Sequence, residues 1–103
     1  TEAFDLPARW VIHTVGPNAH RGQTDPAMLA SCFTRCLDVA AELGATSIAF
    51  PAVSAGVYGW DADDVARIAV DAVRGHPSEG VQLVRFVLFG DRLRVAFDRA
   101  LAN

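Results

Sequence analysis

The residues with the most chemical content are Ser54-Ala55-Gly56-Val57-Tyr58-Gly59. Two glycines open backbone conformations closed to other residues and let a phosphate come close, and the small Ser54 and Ala55 side chains leave room for it. Successive N–H groups in such a turn can converge on an anion as a nest, with the start of a helix at Asp61 just beyond. The chemistry on offer is anion binding by backbone, which needs no basic side chain. A plain connection between strand and helix is the competing reading of the same residues. The stretch is not a Walker loop, because no Lys follows the second glycine, and it lacks the spacing of a dinucleotide fingerprint.

Alternating strands and amphipathic helices must position this loop. Trp10–Val15 is a β-branched and aromatic run stopped by Gly16-Pro17, which predicts a first strand. After a polar loop over 18–24, Thr24 or Asp25 caps a helix with Pro26 at its first position. Leu29, Cys32, Phe33, Cys36, Leu37 and Ala40 keep helical spacing until Gly44 supplies the stop. Ser47–Phe50 predicts a second strand ended by Pro51, and the glycine loop follows. Asp61 then caps a helix whose apolar face is Val65, Ile68, Ala69, Ala72 and Val73, with Gly75 and Pro77 as stop signals. The stretch from Val81 to Phe89 holds the run Phe86–Phe89, as expected of a strand covered on both faces. Asp91 caps a last helix with Leu93, Ala96, Phe97, Ala100 and Leu101 as its stripe. The order β-α-β-α-β-α implies right-handed crossovers and a partly parallel sheet. In such sheets ligands bind at the carboxyl ends of the strands, where the glycine loop and the Phe89-Gly90-Asp91 corner lie.

At 103 residues the chain holds one domain, 1–103. Its net charge of −3 and scattered Lys and Arg leave no footprint for a nucleic-acid backbone, so polymeric nucleic acid is excluded as a partner. No apolar run is long enough to span a bilayer and no signal peptide is seen, which predicts a soluble, cytoplasmic protein without a membrane partner. The chain begins at Thr1 rather than Met, as an engineered piece, a processed product or a fragment would. Cys32 and Cys36 share one helix face and are expected to be buried thiols. Two cysteines without other soft ligands make a poor metal site, and a disulfide inside one helix is strained. His13 is expected to be structural, while His20 and His76 fall in polar loops and carry no signal.

The segments Leu6–Pro17, Ser47–Gly59 and Val87–Phe89, in that order and spacing, together resemble macrodomains of the MacroD type over essentially the whole chain. Departures are small: Ala55 stands where Thr is frequent, Trp60 where Tyr is common, and Asp61 where Pro is common. The resemblance implies an α/β fold, a partial three-layer α/β/α macrodomain. It implies that Ser54, Ala55, Gly56, Val57 and Tyr58 line the diphosphate and distal ribose of ADP-ribose, largely through backbone amides. Tyr58 would sit over the distal ribose. Phe89 would pack near the adenine, with Gly90 and Asp91 shaping the rim; a core aromatic at a strand end is its alternative. The implied ligand is ADP-ribose or an ADP-ribosylated protein. The implied activity of the parent is hydrolysis of ADP-ribosyl esters or O-acetyl-ADP-ribose, without metal or other cofactor. The acidic residue, asparagine and first glycine loop that macrodomains usually bring from their opening half are not found in this sequence, and no catalytic residue is assigned. The chain thus resembles a carboxy-terminal portion, expected to be nearly inactive alone. In the family fold a strand of the other half lies between the first two strands here, so that half, or a homo-oligomer partner, is the expected neighbour. A reader that binds without turnover, or a structural fragment, are the alternatives.

Overall fold

The computed structural model describes residues 9–55, 58–77 and 80–102. A single 3-10 turn, Ala19–Arg21, precedes α1 (Pro26–Leu43), β1 (Ser47–Phe50), α2 (Ala62–Gly75), β2 (Leu83–Phe86) and α3 (Asp91–Ala102).

Each helix boundary has a local cause. Asp25, not Thr24, caps α1: its carboxylate accepts the Ala27 N–H at 3.0 Å, and Pro26 occupies the first helical position, where a missing N–H does no harm. Gly44, at φ 76°, ends the helix and returns its N–H to the Ala40 and Ala41 carbonyls. Asp61 caps α2 by accepting the N–H groups of Asp63 and Asp64. At α3 the expectation fails. Asp91 is the first helical residue, and its carboxylate binds Arg94 at 2.7 Å instead of capping; the turn is made by Gly90 at φ 93°.

Strands β1 and β2 pair in parallel, Ser47 opposite Leu83 through Phe50 opposite Phe86, with α2 as the crossover. All three helices lie on the face that carries Phe50 and Phe86. The Phe33 ring is 5.1 Å from that of Phe50, and the Phe97 ring 4.9 Å from that of Phe86. Around these rings Leu29, Leu37, Val65 and Ala69 are fully buried. Burying each large apolar side chain contributes about 1.5–3 kcal/mol, so this aromatic cluster between helices and sheet is the main source of stability. The opposite sheet face, Ser47, Ala49, Leu83 and Arg85, is exposed. The described residues thus supply two of the three layers. Residues 83–86 alternate outward and inward, and the run from Phe86 is not a strand covered on both faces: only Phe86 is in β2, and Val87 and Phe89 are exposed.

The first strand is a second correction. Val11–Val15 carry no ladder among the described residues, and Val15 is 85% exposed. A β-branched run is a strand only where a neighbour accepts its hydrogen bonds. A wide cleft separates this run from β1.

Candidate functional site

The glycine loop is built by a tight turn after Pro51. Val53 N–H donates to the Pro51 carbonyl at 3.0 Å and Ala55 N–H to that of Ala52 at 3.2 Å. Ser54 takes φ 70°, a left-handed conformation that costs a side-chain-bearing residue about 1–2 kcal/mol. The chain then returns on itself: Ala55 bridges Trp60, whose N–H donates to the Ser54 carbonyl at 3.4 Å. Ser54 and Ala55 are thereby set at the mouth of a closed loop, with Tyr58 half-buried beside Gly59 at φ 79°. Gly56 and Val57, the middle of the expected cradle, lie outside the described residues.

A second segment backs the loop. A Cβ on Gly16 would fall 2.3 Å from Ser54 Oγ and 2.6 Å from Val53 Cγ1, so only glycine fits there. Trp60 Nε1–H donates to the Pro17 carbonyl at 3.1 Å. A Cβ on Gly59 would come within 2.7 Å of the His20 ring. Sequence reasoning saw Gly16-Pro17 as a strand stop, Trp60 as a departure from a pattern and His20 as silent. The indole of Trp60, with its single donor, was the signal available for a docked loop.

Two features limit how an anion could be held. The N–H groups of Asp63 and Asp64 are taken by the Asp61 carboxylate, so the start of α2 does not offer them to a ligand. Ala55 N–H is likewise spent inside the turn. Ser54 is 8% exposed, and its Oγ is buried with no hydrogen-bond partner. Arg92 comes within 3.6 Å of Asp61, an exposed pair that contributes little. Among the described residues no group of three metal-binding side chains forms.

Phe89 is 81% exposed and takes no part in the core of the described residues. The Val87 N–H binds the Phe50 carbonyl at 2.8 Å, so the segments leaving the two strands start side by side at the carboxyl edge of the sheet. A cleft of about 1110 Å³ runs from Tyr58, Ser54 and Val53 along β1, faced by Arg9–Gly16. His13, exposed rather than packed, lines it and a second hollow of about 570 Å³ against α1. Cys32 and Cys36 are buried free thiols, as expected. Burial, then the neighbouring Cys32, push the Cys36 thiol up, against a hydrogen bond with Thr14 that lowers it. His76 Nε2 lies 2.7 Å from an Asp38 carboxylate oxygen, a helix-to-helix pair that the sequence did not signal.

A parallel strand-helix-strand unit, with a strained turn at the carboxyl edge of its sheet, makes this an α/β fold. Residues 1–69 match the Macro domain family, and the chain belongs to that family. A macro domain-containing protein of Streptomyces griseus is 54% identical over 102 residues, covering 99% of this chain and 58% of that protein. The O-acetyl-ADP-ribose deacetylase of Klebsiella pneumoniae is 42% identical over all of this chain and 61% of its own length. A single-substitution variant of the Oceanobacillus iheyensis macrodomain, solved with ADP-ribose, superposes with a TM-score of 0.88 at 36% identity over 99% of this chain and 56% of that domain. The chain therefore spans little more than half the length of these relatives.

Proposed function

We propose that this chain binds ADP-ribose at the loop from Ser54 to Tyr58, the diphosphate lying against the turn and Phe89 facing the adenine. The observation that carries this reading is the geometry of Ser54: a left-handed backbone and a buried, unpartnered hydroxyl at the loop mouth. Such strain persists where the surrounding fold imposes it, and it concentrates at ligand sites. With the Ala55 amide and the first amides of α2 engaged elsewhere, the donors are the Ser54 hydroxyl and the remaining loop amides, including those of Gly56 and Val57. The adenine role of Phe89 is supported by its exposure next to the loop's strand, since an aromatic face left in water at the carboxyl edge gains from stacking.

In the whole macrodomain this binding serves hydrolysis of O-acetyl-ADP-ribose or of ADP-ribosyl esters on proteins. The name of the Klebsiella pneumoniae relative supports this activity. The 103 residues alone bind without efficient turnover. Titration calorimetry of ADP-ribose into the chain, with Gly56→Glu as the control that fills the turn with a carboxylate, tests the site. Heat with the unmodified chain and none with the control supports it. No heat from either at millimolar ligand overturns it for the isolated chain.

A further inference from the structure

Residues 16–20 meet the candidate loop at both of its ends. At the first end Gly16 backs Val53 and Ser54 so closely that a Cβ on it would fall 2.3 Å from Ser54 Oγ. At the second end the Trp60 Nε1–H donates to the Pro17 carbonyl at 3.1 Å, and the His20 ring lies 2.7 Å from where a Cβ on Gly59 would stand. Pro17 is buried, so its carbonyl needs a partner, and the indole supplies one. The backbone N–H of the same Trp60 donates to the Ser54 carbonyl at 3.4 Å. One residue thus ties the loop's exit both to its entry and to a segment 43 positions away. That segment is braced internally. Asn18 accepts the His20 N–H at 3.0 Å, donates its own N–H to Gln23 Oε1 at 2.7 Å, and takes the Gln23 N–H on its carbonyl at 3.1 Å.

We propose that Trp60 is a positioning residue for ADP-ribose: its indole N–H, latched on the Pro17 carbonyl, holds the two ends of the loop, Ser54-Ala55 and Gly59-Trp60, in the register that receives the ligand. This role rests on the loop being the ADP-ribose site proposed above. Two physical arguments carry it. The left-handed backbone of Ser54 is strained and persists only where its surroundings impose it, and the segment from Gly16 to His20, latched by Trp60, is the surrounding that touches both ends. A loop that must order itself on binding loses affinity to the freedom it gives up, whereas a loop fixed beforehand does not. Trp60 does not line the cleft that begins at Ser54 and Tyr58, so its effect reaches the ligand through the loop and not by contact.

Trp60→Phe keeps an aromatic ring and deletes the donor, and Trp60→Tyr returns a donor to the ring. Calorimetry with ADP-ribose is run at a temperature where circular dichroism shows all three chains fully folded, so that global stability does not enter the affinity. Amide hydrogen exchange without ligand reads the loop itself. Loss of one hydrogen bond corresponds to about fivefold in an equilibrium constant. Trp60→Phe is therefore expected to bind about fivefold more weakly and to exchange the amides at positions 55 and 60 faster by about the same factor, with those of α1 unchanged. Trp60→Tyr should recover part of both losses. Equal affinity in Trp60→Phe and the unmodified chain overturns the proposal. So does weaker binding with unchanged exchange, which would mean that the indole touches the nucleotide directly. An unmodified chain that gives no heat overturns the binding reading itself, and the ligand role of Trp60 with it, whatever the exchange shows.

Discussion

Ser54 combines two unfavourable features, a left-handed backbone at φ 70° and a buried hydroxyl without a partner. Relieving the first should stabilise the chain: Ser54→Gly is expected to raise its unfolding free energy by about 1 kcal/mol in urea titrations, since glycine takes positive φ without steric cost. Ser54→Ala should leave stability unchanged or slightly higher, because the hydroxyl makes no bond that could be lost. Both variants should bind ADP-ribose more weakly than the parent by calorimetry, the signature of a residue kept for its ligand. Gly16→Ala is expected to act in the opposite sense on stability. Its Cβ would overlap Ser54 Oγ and Val53 Cγ1, and overpacking of this kind costs about 1–3 kcal/mol. At this scale the sequence was legible where backbone chemistry decides, as at Gly59, which takes φ 79°. It was silent where contacts between distant residues decide: His20 over Gly59 and Trp60 on the Pro17 carbonyl join positions about 40 apart, and no local pattern encodes such pairs.

The helices were readable because their signals are local. Helical spacing named the six buried residues of α1, and capping chemistry marked Asp61 as the residue before α2. Asp61→Ala should cost about 1 kcal/mol in chemical denaturation, the usual loss for an acidic N-cap, with most of it due to the two freed N–H groups rather than the exposed Arg92 pair. The first strand was misread for a physical reason: strand propensity in Trp10–Val15 reports a fit to a pleated neighbour, and among the described residues Val11–Val15 have no such neighbour. The face of α1 that looks toward this segment carries Cys36. Its folded pKa lies above the ordinary value of 9.0, so the folded state holds a proton that the unfolded state releases first. That contribution to stability is complete below about pH 9 and is lost as pH rises through the folded pKa. Thermal midpoints measured from pH 7.5 upward should therefore fall more steeply above about pH 9 in the parent than in Cys36→Ser.

Across the whole molecule, helices cover one face of the sheet and leave Leu83, Val87 and Phe89 in water on or beside the other. The candidate loop therefore sits on a half-enclosed scaffold. Acyl hydrolysis needs a water held over the face of the reacting carbonyl, and much of the rate comes from that fixed geometry in a site that excludes bulk solvent. In the proposed binding mode the turn grips the diphosphate from one side, and the distal ribose faces an open cleft. Of the ionisable groups near the loop, Asp61 is engaged in capping α2, and the His20 ring packs against Gly59. With O-acetyl-ADP-ribose, the isolated chain is expected to release acetate no faster than buffer while still binding ADP-ribose by calorimetry. Addition of the remaining residues of the Streptomyces griseus relative should close the cleft and bring turnover above that background, with Gly56→Glu again inactive. Robust acetate release by the chain alone, at confirmed mass and lost in Gly56→Glu, would place the full catalytic apparatus on these 103 residues and refute the division of labour argued here.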